Sequence, residues 1–125
     1  MIIVHGTFPI KNEVRDSALN LMREMASASR AEQGCITYEF YVGLSDPNVL
    51  LLFQEWASLE ALQGHFETEH MEVFLKQLPG VLAGEVATRR YEVKVSSDDN
   101  FERVEFEPDF VPQFEEREKI VHCPH

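Results

Sequence analysis

The sequence predicts an α+β fold: one antiparallel sheet of four strands with two helices on one face, in the order βαββαβ. Three observations lead there. Residues 12–30 and 58–78 repeat apolar side chains at three- and four-residue steps, the spacing of an amphipathic helix. Residues 2–8, 35–43, 49–56 and 84–95 are rich in β-branched and aromatic residues and read as strands. The turns between them carry neither a G-x-G-x-x-G nor a P-loop pattern, so nothing in them points to a nucleotide-binding parallel sheet. Two such halves in series make a ferredoxin-like sandwich.

Each element has its own signal. The first strand places Ile2, Val4, Gly6 and Phe8 on one face and stops at Pro9. In the first helix Val14, Ala18, Leu21, Met22 and Met25 form the buried stripe, and Gly34 ends the excursion. The second strand sets Ile36, Tyr38, Phe40 and Val42 on one face, with Cys35, Thr37, Glu39 and Tyr41 on the other. Leu44 to Asn48, containing Asp46-Pro47, is a hairpin turn. The third strand is continuously apolar from Val49 to Phe53, so both its faces need cover. A single helix from Ser58 to about Leu78 follows, with Ser58 as its cap, Leu59, Leu62, Phe66 and Val73 on its stripe, and Pro79-Gly80 as its stop. Helices on one sheet face leave the other bare, and its apolar residues predict sheet-to-sheet pairing of two copies into a dimeric α/β barrel.

Composition narrows the function. A 44% hydrophobic fraction with nine Phe in 125 residues supplies a core, and a net charge of −11 disfavours nucleic acid and anionic membrane as partners. No stretch is long and apolar enough to span a bilayer, and Met1 to Phe8 lacks a signal-peptide pattern, so a cytoplasmic protein is expected. Cys35 and Cys123 are too few and too far apart for a disulfide framework or a metal motif. The domain is expected to end near residue 95. Residues 96–125 hold nine acidic against three basic side chains, yet also Phe101, Phe106, Phe110 and Phe114, and read as an acidic extension that docks.

Candidate chemistry gathers between Leu52 and Phe74, which holds the only Trp and two of the five His. On one continuous helix His70 falls near the buried stripe and His65 at its border, about 140° away for a five-residue step. That offset argues against a metal site, since ligands on one helix need three- or four-residue spacing. A satisfied core histidine is the commoner fate of such a residue. The sharper reading makes His70 a general base in an aromatic cavity, able to take a proton from a phenol near neutral pH, with His65 on the rim.

Two segments then resemble a known family. QEWASLEALQGHFETEHMEVF, from Gln54 to Phe74, is similar to the signature segment of the antibiotic-biosynthesis monooxygenase (ABM) family. AEQGCITYEF, from Ala31 to Phe40, resembles that family's entry into the second strand, and the likeness spans about residues 1–95. The small bacterial quinol monooxygenases look like the nearest branch. The resemblance implies a dimeric barrel with one cavity per subunit and oxidation of a quinol or polyphenol by dioxygen without metal, flavin or other cofactor. Carried over by position, it gives catalytic roles to Trp56, His65, His70 and Tyr38, and makes Phe40, Phe53, Phe66 and Arg89 candidates for substrate binding.

This chain departs from the family twice. Leu52 stands where some oxygenase members have an Asn, and Thr68-Glu69-His70 lacks the usual middle Pro, which implies a straighter helix. The alternative expectations are an isomerase of a small phosphorylated ketone, where Arg89 or Arg90 would matter, a haem-degrading oxygenase on the same scaffold, or a non-catalytic ligand-binding or interaction module whose acidic, Phe-bearing tail recruits a partner.

Overall fold

The computed structural model describes residues 1–94, and the acidic extension expected at 96–125 lies outside the described residues. The elements are β1 (Ile2–Pro9), α1 (Arg15–Arg30), β2 (Cys35–Val42), β3 (Val49–Trp56), α2 (Leu59–Phe66), α3 (Glu69–Gln77) and β4 (Ala87–Glu92). Short 3₁₀ turns precede α1 and follow α3. The sheet runs β2-β3-β1-β4 with every neighbouring pair antiparallel, the ferredoxin-like order.

Alternation along the strands decides which face each side chain serves. Ile2, Val4, Gly6 and Phe8 of β1 pair with Trp56, Gln54, Leu52 and Leu50 of β3, and these face the helices. There they meet α1 through Ala18, Leu21, Met22 and Met25, and the second helical region through Leu62 and Phe74, in one buried core. The opposite face carries Ile3, His5, Leu51, Phe53, Arg89 and Tyr91, and no described element covers it.

Three expectations need correction. The helix foreseen over 58–78 is two helices. Thr68 has extended backbone, its hydroxyl donates to the His65 carbonyl at 2.7 Å, and it accepts from the Met71 amide to cap α3. A side chain that caps a new helix ends the old one without any Pro. The break resets the wheel, so Leu59, Phe66 and Val73 are exposed, while His65 and Phe74 are buried.

The second correction is in β2. Cys35 pairs with Trp56 and Thr37 with Glu55, so Ile36 is the extra residue of a β-bulge. Ile36 swings out to solvent, and Cys35 joins Tyr38 and Phe40 on the helix face. The third is β4, which is six residues long rather than twelve and is exposed along its length. Gly34, at φ +87°, lets the chain turn into β2, and a Cβ there would sit 2.5 Å from the Ala61 Cβ of α2.

Candidate active site

The end of β3 fixes the first part of the site. Trp56 is fully buried, and its indole N–H donates to Gln54 Oε1 at 2.9 Å. An indole can only donate, so the amide oxygen must be the acceptor and the orientation of Gln54 is set. The amide nitrogen is left for the cavity that Gln54 helps to wall. Tyr38 stands edge-on to Trp56, with ring centres 6.4 Å apart, and Phe40 stands edge-on behind Tyr38 at 6.0 Å. Burial raises the Tyr38 phenol far above its ordinary value, so it stays protonated.

The second part comes from three elements. Glu32, in the turn after α1, extends its Oε2 to His65 Nδ1 at 2.7 Å and to His70 Nε2 at 2.6 Å. A carboxylate only accepts, so each imidazole donates its N–H to it. His65 is 1% exposed and stacks at a tilt on Trp56, ring centres 4.8 Å apart. Among the described residues its Nε2 has no hydrogen-bond partner, and it is buried from solvent. Burial lowers its proton affinity and outweighs the opposing pull of Glu32. His65 is therefore a neutral imidazole with Nδ1–H on the carboxylate and a bare lone pair on Nε2, the tautomer following from the bonding pattern.

The helix break builds this cluster. With α2 ended at Phe66 and α3 begun at Glu69, the two imidazoles come within 6.0 Å, ring centre to ring centre. The expected order of the two histidines is reversed: His65 is the buried one, and His70 is 28% exposed and lines a groove between α1 and α3. Glu32 went unrecognised because its carboxylate reaches the site from 33 residues before His65. A Glu just ahead of the bulged strand carries no local signal of that reach.

Beside the cluster lies an apolar cavity of about 260 Å³ between the sheet and α3. Tyr38, Leu52, Gln54, Phe66, Met71 and Phe74 wall it, with Val4, Phe8 and Val86. Tyr38 and Phe66 are also ring neighbours of His65, at 5.4 and 5.8 Å, so these two side chains connect the imidazole to the cavity. Among the residues expected to bind substrate, Phe66 lines this cavity and Phe40 backs Tyr38. Phe53 and Arg89 do not reach it. They pair with His5 from either side and lie on the far face of the sheet.

A protein-family model described as antibiotic biosynthesis monooxygenase matches residues 1–77. The chain belongs to this family. An uncharacterised protein of Synechocystis is 30% identical over 92 residues, 74% of this chain and 63% of that one, so the chain spans less than two thirds of that relative. The structure of Rv0793 from Mycobacterium tuberculosis superposes with a TM-score of 0.71 at 25% identity, covering 77% of this chain and 97% of that one. A crystal structure of an antibiotic biosynthesis monooxygenase gives 0.71 at 26% identity, over 76% of this chain and all of its own. Both solved structures share the fold described above. No described helix is long and apolar enough to cross a membrane.

Proposed function

We propose that this ABM-family chain is a monooxygenase that oxidises a small quinol-like aromatic with dioxygen in the cavity beneath α3, with His65 as base. The observation that carries the reading is the bare, buried Nε2 of His65, on a ring held in one tautomer by Glu32 and neighbouring two cavity-lining rings. A carboxylate that fixes an imidazole in this way also stabilises the imidazolium formed when it takes a proton.

The chemistry balances without an added reductant. His65 takes a phenolic proton, a turn of the Tyr38 or Phe66 ring giving the hydroxyl access to Nε2. The resulting anion gives an electron to dioxygen, and recombination forms a carbon–oxygen bond and a peroxide. His65 returns the proton to that peroxide; loss of the ring C–H proton and cleavage of the O–O bond release water. Hydroquinone plus dioxygen thus becomes a hydroxylated quinone plus water, all four electrons coming from the substrate. The apolar walls exclude water from the peroxide, and the Gln54 amide donates to a substrate or peroxide oxygen.

The uncovered sheet face, with Leu51, Phe53 and Tyr91 exposed or half-exposed, supports a homodimer built by packing that face on a second copy. The assay for the reaction is oxygen uptake by chelator-treated protein over a panel of benzo- and naphthohydroquinones, with 18O2 to trace the product. Label in a hydroxylated quinone, with uptake cut about 10²- to 10⁴-fold by His65→Ala, is expected. Uptake that His65→Ala leaves unchanged would remove the base from the scheme.

A further inference from the structure

We propose that Glu32, His65 and His70 form a binding site for a divalent transition-metal ion of the zinc and cobalt class, held by Glu32 Oε2, His65 Nδ1 and His70 Nε2. Those three atoms all lie within 4.8 Å of one another. They come from three elements, the turn after α1, α2 and the first turn of α3, with the Glu32 oxygen between the two imidazole nitrogens at 2.7 and 2.6 Å.

The geometry is close to what an ion requires. With metal–nitrogen bonds of about 2.0–2.1 Å, two imidazole nitrogens on one ion stand roughly 3–4 Å apart. Closing to that range takes about an ångström of side-chain movement, with the Glu32 oxygen stepping back to make room. The backbone holds the frame in place. The Glu32 amide donates to the Ser29 carbonyl at 3.0 Å, and the His65 carbonyl accepts from both the amide and the hydroxyl of Thr68.

The donor set selects the ion. Two imidazoles with one carboxylate suit zinc, cobalt and their neighbours, whereas calcium and magnesium prefer all-oxygen sites. The carboxylate supplies one negative charge, and Glu24 and Glu69 share the groove that His70 lines. His70 is 28% exposed, which gives the ion an entry path and leaves room for a water ligand on that side. Two histidines five residues apart do not make a site on one helix; the break at Thr68 is what aligns them.

Ligation through Nδ1 moves the His65 hydrogen to Nε2 and turns the bare lone pair into an N–H donor. If His65 is the base proposed above, on which this consequence alone rests, the bound ion switches the oxygenase off.

The test is a Co²⁺ titration of the full chain carrying His122→Ala, Cys123→Ser and His125→Ala, which removes the imidazoles and thiol near the C-terminus. Expected are saturable visible d–d bands without a thiolate charge-transfer band, about one ion per chain, displacement by Zn²⁺, and loss of the bands on adding His70→Ala or Glu32→Gln. Circular dichroism confirms that each variant is folded, and the part-exposed His70→Ala is the one least exposed to misfolding. No saturable bands, or bands that survive His70→Ala, overturn the site. Oxygen uptake is read in parallel. Binding with uptake abolished and restored by chelator supports both site and switch, whereas binding with uptake untouched keeps the site and removes His65 as base.

Discussion

His65 Nδ1 lies 2.7 Å from Glu32 Oε2, although 33 residues separate the two in the chain. The same carboxylate oxygen also receives His70, so both imidazoles share Glu32 as acceptor. Replacing it with Gln keeps the shape but offers an amide oxygen in place of a charge. Glu32→Gln is expected to lower kcat/KM for quinol oxidation roughly 10- to 100-fold, as loss of an orienting partner does. It should also cost about 1–3 kcal/mol of stability, because the buried His65 N–H loses a charged acceptor. Steady-state oxygen uptake and urea unfolding read the two effects.

The acid arm of stability follows from His65. Its folded-state proton affinity is lowered by burial, so the unfolded chain binds a proton that the native protein refuses. The contribution is fully present above the ordinary imidazole value of about 6.5 and is lost as pH falls from there toward the lower folded value. Urea midpoints of chelator-treated protein, taken in steps from pH 8 to pH 5, should fall over that window. His65→Phe, which cannot titrate, should flatten the decline.

Much of this was legible in the sequence, and the misses share a cause. Strand alternation gave the correct shared face for Ile2, Val4, Gly6 and Phe8, because period-two burial is local and strong, whereas the unbroken apolar run from Val49 to Phe53 assigned no face to its residues. The helix phase failed from Leu59 to Val73 because one capping hydroxyl, at Thr68, changes every later angle, and hydrophobic periodicity averages over such a break. Cys35 was put on the wrong face because a β-bulge adds one residue without any Gly to mark it. Trp56, Tyr38 and both histidines could be named as site candidates from their segments. Glu32 could not, and neither could the separation of Phe53 and Arg89 from the cavity, since strand pairing alone reveals which face they share.

The Trp56–Gln54 bond gives a third prediction. Gln54→Leu removes the acceptor of a fully buried indole N–H and is expected to destabilise by about 1–3 kcal/mol. Trp56→Phe in the same background removes the orphaned donor, so the double variant should lose less than the sum of the singles, with a coupling of about 0.5–3 kcal/mol. Strict additivity would mean that the bond does not orient the amide. The same Gln54→Leu change should weaken quinone binding in the cavity, measured by fluorescence quenching of Trp56, the only tryptophan, which is hydrogen-bonded to the cavity-lining Gln54.

Thr68 is the hinge on which the cluster depends. Thr68→Ala deletes both the cap of α3 and the hydroxyl bond to the His65 carbonyl. About 1 kcal/mol should be lost, which lowers the melting temperature of a domain this size by roughly 4–8 °C. Thr68→Ser retains the hydroxyl and should recover most of it. A Thr68→Ala protein with an unchanged melting temperature would show that tertiary packing alone sets the break.

The open sheet face leads to the last prediction. Leu51 and Phe53 of β3 stand there with Tyr91 of β4, which stacks on His5 with ring centres 5.3 Å apart, and no described helix covers them. Apolar and aromatic side chains in that setting are stabilised by a second sheet packed across them. Light scattering of the full chain at micromolar concentration should therefore give about twice the 14.4 kDa of one chain. Phe53→Glu places a charge in the middle of that contact without touching the helix-side core, and should weaken association at least about tenfold, or 1.4 kcal/mol, while circular dichroism stays native. A wild-type chain that scatters as a monomer, or a Phe53→Glu dimer as tight as wild type, would place the contact elsewhere or remove it.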